Sequence, residues 1–225
     1  MGFSIVIYGG VHHDPGTRQR FIEELGKRDV PPHFIAVEWE ESFFNRCAAY
    51  RPRVEKCIKQ RWNFLTPSDC RELSLALAWE GDAFKEVFPN AQALWLETGF
   101  QENRDPDENN DVAERLAEGL YERLLAPSSL TFNEFYTNGE MLPTSKRELV
   151  ERLWRAAWAD KFSNRDFERD VRWANMIVER SEDVANGWIA AVVGWAHANP
   201  EYGDNRLRSL LLAQGFSVTS VYLGP

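Results

Sequence analysis

Along this chain, unbroken apolar runs alternate with stretches in which apolar residues recur every three or four positions. Residues 3–8 form a β-rich run that ends in Gly9-Gly10, and residues 17–27, after Pro15-Gly16, carry helical spacing. Residues 34–37 follow the breaker Pro31-Pro32 and read as a second strand, which completes a β-α-β unit. Near the other end, residues 189–193 stop at Gly194, a loop carries Asn199-Pro200, residues 207–214 have helical spacing, and residues 216–223 read as the last strand. That is a second β-α-β unit. Strands that are nearly all apolar belong in a sheet covered on both faces. The expected class is therefore α/β, with a central, largely parallel sheet built from the two repeated units.

Between the units the pattern is mainly helical. Residues 91–96 form one more strand candidate, ending at Glu97. Helices are predicted over 43–60, 67–87, 111–125, 145–161 and 165–182, with a break or kink at Pro52. Residues 101–110, polar and acidic with Pro106, read as a loop. No Gly/Ser linker divides the chain, so one domain is expected over 1–225, with a mainly helical insertion at about 43–185.

The two units align with a constant offset of 184, which sets Gly10 on Gly194, His13 on His197 and Glu38 on Tyr222. Each then reads strand, Gly-x-x-His, Pro-containing loop, helix, strand. The histidines fall at the carboxyl ends of strands, where open α/β sheets gather their ligands. A lone histidine after a strand is commonly a solvent-facing loop residue; the matched placement is what singles out His13 and His197. Glu38 and Glu97 end the second and third strands and are expected at the same sheet edge, although strands often end in a surface glutamate. Asp14 either orients the neighbouring His13 or serves as a turn residue before Pro15.

Composition narrows the partners and the compartment. The 225 residues carry 26 Lys and Arg against 35 Asp and Glu, a net charge of −9, with the basic residues scattered. Such a chain offers no basic stripe for phosphates, so nucleic acid is excluded as an expected partner. Cys47, Cys57 and Cys70 are odd in number and lack any C-x-x-C spacing, which argues for a reducing cytoplasm and against a disulfide framework or a four-cysteine zinc site. The start of the chain has no signal-peptide pattern and no run is long enough to span a bilayer, so no membrane partner is expected. Gly-x-Ser-x-Gly does not occur and the cysteines lie outside the motifs, which removes support for covalent catalysis.

Four motifs together resemble a known superfamily. They are Gly10-Val11-His12-His13-Asp14, Glu38 at the end of the second strand, Glu168-Arg169-Asp170-Val171-Arg172-Trp173-Ala174, and Val192-Val193-Gly194-Trp195-Ala196-His197. In this order they resemble the TraB/PrgY/GumN group, with the Tiki proteases, the ChaN-like haem-uptake lipoproteins and the erythromycin esterases as more distant relatives. The motifs span nearly the whole chain, while residues from about 43 to 160 carry none of them. The resemblance implies an α/β fold in which two Gly-x-x-His motifs and a glutamate surround one pocket, metal-dependent in the Tiki branch and metal-free in the erythromycin esterases. It implies His13, Glu38 and His197 as the central polar residues and Arg169 as the basic one. Many members have Gly-Thr-x-His first where this chain has Gly10-Val11-His12-His13, so His12, counted from Gly9, stays open as the alternative to His13.

Two imidazoles and a carboxylate are a common ligand set for a catalytic divalent ion, here Mn, Co or Zn, held by His13, Glu38 and His197. The ion would acidify bound water and polarise a carbonyl. Arg169 would bind a substrate carboxylate or an oxyanion; its ordinary alternative is a helix-surface pair with Glu168 or Asp170. Glu97 or Glu80 is a spare proton acceptor. Without a metal, one histidine would activate water while Glu38 orients it. Trp39 and Trp195 flank the site residues as candidate apolar walls, whereas Trp154 and Trp158 have the helical spacing of core residues. The expected function is a metal-dependent hydrolase of amide or ester bonds acting on a small-molecule or peptide substrate. The alternatives are a non-catalytic protein binding haem or an anionic metabolite in the same pocket, and an interaction partner with a vestigial site.

Overall fold

The computed structural model describes residues 4–10, 12, 15–97, 110–125, 136–137, 140–141, 164–182, 186–199 and 206–223. Five strands form one sheet in the order β3-β2-β6-β1-β7, with every neighbouring pair parallel. They are β1 (Ser4–Gly10), β2 (Ile35–Val37), β3 (Ala93–Trp95), β6 (Trp188–Gly194) and β7 (Ser217–Tyr222). A two-residue antiparallel pair, β4 (Tyr136–Thr137) and β5 (Glu140–Met141), stands apart. The helices are α1 (Pro15–Gly26), α2 (Glu41–Arg61), α3 (Pro67–Leu75), α4 (Asn110–Leu125), α5 (Asn164–Ser181), the single turn α6 (Trp195–Ala198) and α7 (Leu207–Ala213). The α/β class with a central parallel sheet is as the sequence predicts. No described helix is long and apolar enough to cross a membrane.

The sequence repeat has a direct structural counterpart. β1 and β6 lie side by side, Ser4 paired with Trp188 and Gly10 with Gly194, the same spacing of 184. Paired residues share a face of the sheet: Ile5 and Ile189 point into one core cluster, Val6 and Ala190 into the other. The connections leave this central pair in opposite directions, since β2 lies beyond β6 and β7 beyond β1. Crossovers of one hand taken in opposite directions put their helices on opposite faces. α1 accordingly buries Phe21 and Leu25 on the Val6 face, and α7 buries Leu207 and Leu211 on the Ile5 face. The units therefore share a register and a connection, but their aligned side chains point to one side of the sheet while their helices cover different sides.

A third cluster lies off the sheet, where α2, α3 and α4 meet through Val54, Ile58, Leu73, Leu77, Ala113, Ala117 and Leu120. Pro52 sits inside α2, which continues to Arg61, so it does not end the helix. The helix predicted over 67–87 is divided. α3 starts with a capping box between Thr66 and Asp69 and ends at Leu75. Ala78 then adopts the left-handed region (φ 51°, ψ 43°), and two 3₁₀ turns follow at Trp79–Gly81 and Ala83–Glu86. The apolar periodicity runs unbroken across this reversal because both sides of it are buried: Leu73, Ala76 and Leu77 among the helices, Trp79, Ala83 and Phe84 beneath the sheet. The helix expected over 145–161 lies outside the described residues, as does the loop expected over 101–110 except for its last residue, Asn110, which opens α4.

Candidate functional site

The carboxyl ends of the strands bring the polar residues together. Glu38 is the first residue after β2, Glu97 the second after β3, His12 the second after β1, and Gly194 closes β6 directly before the turn that carries His197. Parallel strands end at one edge, so residues that follow them become neighbours whatever their separation in the chain. α5 lies across this edge with Arg169, Asp170 and Trp173, and the 3₁₀ turn after Ala78 adds Glu80. Glu38, Glu80, Glu97, Asp170, His197 and Arg206 are all buried.

Glu38 is the hub. Its Oε2 accepts the Gly194 backbone N–H at 2.6 Å and lies 3.3 Å from His12 Nε2. Its Oε1 accepts from Arg169 Nη2 at 3.2 Å and lies 3.7 Å from His197 Nε2. The other nitrogen of His12, Nδ1, meets Glu80 Oε1 at 2.6 Å. Nδ1 of His197 meets Asp170 Oδ1 and, at 2.8 Å, Nη2 of the fully buried Arg206, whose Nε lies 3.0 Å from Asp170 Oδ2. A ring protonated on Nδ1 donates to Asp170 and presents Nε2 as an acceptor on the Glu38 side, whereas a ring protonated on Nε2 alone accepts from Arg206 at Nδ1. Arg169 also donates to Glu97, which Arg172 Nη2 reaches at 2.6 Å. The ring of Trp173 supports both Arg169 (4.7 Å) and His197 (4.8 Å).

Buried charges survive only when matched. Here the carboxylates Glu38, Glu80, Glu97 and Asp170 face the cations His12, Arg169, Arg172 and Arg206. Burial opposes a charge on His12, but the Glu38 and Glu80 carboxylates outweigh it and push its pKa up to about 10. Burial likewise opposes ionisation of Glu38, and His12, His197 and Arg169 outweigh it, holding this carboxyl well below the usual range. Glu80 keeps one oxygen, Oε2, buried without a hydrogen-bond partner.

Two imidazoles and the hub carboxylate close in over Gly194. A Cβ placed there would lie 3.1 Å from His12 Nε2, 3.4 Å from Glu38 Oε2 and 3.7 Å from His197 Cδ2. The first of these is tighter than an ordinary Cβ contact, so the glycine is what lets the three side chains converge at the end of β6.

Of the residues expected from the sequence, Glu38, Arg169 and His197 meet in this cluster, and Glu97 and Glu80 join it. His13 and Asp14 lie outside the described residues, while His12, the open alternative, contacts both Glu38 and Glu80. Arg169 pairs across the site with Glu38 and Glu97. Trp39 packs edge-on against His12 at 4.7 Å, but Trp195 packs against Tyr222 and over Gly9. Asp170 stands in the Glu168–Ala174 motif, where the sequence offers it only as a helix-surface partner of Arg169; in the structure it meets His197, and Arg206, a charged residue that no motif or periodicity marks, lies behind it. Among the described residues no group of three or more His, Cys, Asp or Glu side chains is arranged to hold a metal ion. Compared with protein-family models, with curated proteins and with solved structures, the chain finds no match.

Proposed function

We propose that this protein hydrolyses ester or amide bonds at the Glu38 cluster by acid and base catalysis. The observation that carries the proposal is the convergence of His12, Glu38 and His197 over Gly194, with Asp170 on the far nitrogen of His197. A water bound between these side chains is oriented by Glu38 and gives a proton to His197 Nε2 as its oxygen bonds the substrate carbonyl carbon. Asp170 holds the imidazole in the tautomer that can accept and stabilises the imidazolium that forms. The bond to the leaving group then breaks, and the leaving oxygen or nitrogen takes a proton from the His12 imidazolium. Proton transfer through Glu38, which lies between the two rings, returns the site to its starting state. Arg169 keeps Glu38 ionised and is the nearest cation of α5 for a developing oxyanion.

The Mn, Co or Zn ion implied by the family resemblance finds no ligand set among the described residues, which do not include His13. A cytoplasmic setting belongs to the same proposal, with the free thiols of Cys57 and Cys70 in support.

The test is hydrolysis of a panel of alkyl esters, aryl esters and peptides by the purified chain, with and without a chelator. Turnover that survives the chelator and falls roughly 10²–10⁴-fold in His197→Ala and Asp170→Asn is the expected result. Turnover abolished by the chelator and restored by one divalent ion would replace the mechanism with the metal-dependent one. Binding of haem or an anionic metabolite without any turnover would replace it with the binding function.

A further inference from the structure

We propose that Arg51 is a positioning residue for His12: from α2 it clamps the left-handed turn at Ala78, and that turn delivers the Glu80 carboxylate to the Nδ1 side of the His12 ring. Ala78 is the single non-glycine residue with positive φ among the described residues. Side chains other than glycine resist this conformation, and where it persists the surroundings hold it, most often at functional sites.

The first hold on this turn is a buried guanidinium. Arg51 donates to the Leu77 carbonyl from Nε (3.0 Å) and Nη2 (2.7 Å) and to the Ala78 carbonyl from Nη2 (3.3 Å). Its other edge pairs with Asp82, Nη2 to Oδ1 at 3.1 Å and Nη1 to Oδ2. The contacts fall just before and just after Glu80, so both ends of the segment that carries this carboxylate are tied to α2. A second hold lies one residue after Glu80. The Phe44 ring of α2 occupies the space where a Cβ on Gly81 would stand, 2.2 Å from its nearest atom. A loop that only had to end α3 would need none of this, because a glycine at 78 would close the turn unaided.

What the clamped turn presents is Glu80, 1% exposed, with Oε1 at 2.6 Å from His12 Nδ1. α2 begins at Glu41, three residues after Glu38, whose Oε2 lies 3.3 Å from His12 Nε2. One helix therefore sets the placement of the carboxylates on both sides of the ring. The proposal rests on the hydrolase function only for its catalytic consequence, since it concerns the placement of one carboxylate against one imidazole.

The experiment is nitrogen-15 NMR of the histidine rings in the full chain, with His12→Gln assigning the His12 signals and thermal melting run on every variant. Arg51→Met is expected to shift the His12 Nδ1 resonance away from its hydrogen-bonded position, as Glu80→Gln does, while the His197 signals stay in place. Asp82→Asn, which loosens one edge of the clamp at a partly exposed site, is expected to move the same resonance less. A folded Arg51→Met with an unmoved His12 signal would overturn the proposal; if that variant does not fold, an unmoved His12 signal in Asp82→Asn overturns it. Lack of hydrolysis by the parent protein would count against the hydrolase function and leave this measurement intact.

Discussion

At Gly194 the absence of a side chain is what the site depends on. Its N–H holds Glu38, and a Cβ would enter the space between His12 Nε2 and Glu38 Oε2. Gly194→Ala is expected to leave the melting temperature close to that of the parent, because 3.1 Å and 3.4 Å contacts are relieved by shifts of a few tenths of an ångström in two side chains. Turnover is expected to fall on the order of 100-fold, since the methyl takes the place of the attacking water. Steady-state hydrolysis beside a thermal melt checks both halves. Glu38 and His197 were legible as single residues because each follows an apolar strand, and strand ends are readable from composition. The sequence left His12 and His13 open, and the packing of Trp39 and Glu80 on His12 gives that ring a structural role no spacing rule could assign. Arg206 was not legible, because a buried arginine and an exposed one are the same letter.

At the scale of elements, the close approach of β1 to the turn α6 brings the His197 segment against the sheet. A Cβ on Gly9 would meet Trp195 Cε3 at 2.4 Å, Ala198 Cβ at 2.8 Å and the Trp195 backbone at 3.2 Å. Backbone cannot yield as a flexible side chain does, so Gly9→Ala is expected to destabilise the fold by roughly 1–3 kcal/mol, the range for overpacking. Urea unfolding followed by fluorescence measures this directly. Most elements were legible from the sequence to within a few residues: β1, β2, β6, β7 and α5 are short apolar runs or a strongly periodic helix. The division of 67–87 was not, because periodicity reports that residues are buried, and it continues when the chain reverses and buries them against a different neighbour. The left-handed Ala78 has no local signal, as neither Gly nor Asn stands there.

Over the whole molecule, the His12 and Glu38 pair links stability to pH. His12 holds its proton more tightly in the folded state, with its pKa raised from 6.5 to about 10, so its contribution is full below pH 6.5 and is lost as pH rises toward 10. Glu38 is shifted the other way, below its ordinary 4.5, so its contribution is full above that pH and is lost as pH falls. Between these limits both contribute, and the destabilisation caused by His12→Gln is expected to be largest from about pH 5 to 6.5 and to shrink steadily up to pH 10. Urea midpoints of parent and variant across that range provide the check; a difference that grows with pH would mean that His12 is neutral in the folded protein.

By itself the sequence determined the α/β class and the parallel sheet, because apolar runs of strand length cannot stay in water; its 184-residue offset marked a repeat, and the structure showed that the repeated strands pair side by side in that register. It also placed Glu38 and His197 at strand ends, where the parallel topology gathers whatever follows. The tertiary structure alone decided which charges meet. Asp170, Arg206, Glu80 and Arg51 become the partners of His197, His12 and their supports only because α5, α7 and the reversed turn after α3 fold over the same sheet edge. Hydrophobic patterning is periodic and can be read one segment at a time. The pairing of buried charges has no period, and exists only where distant segments cross.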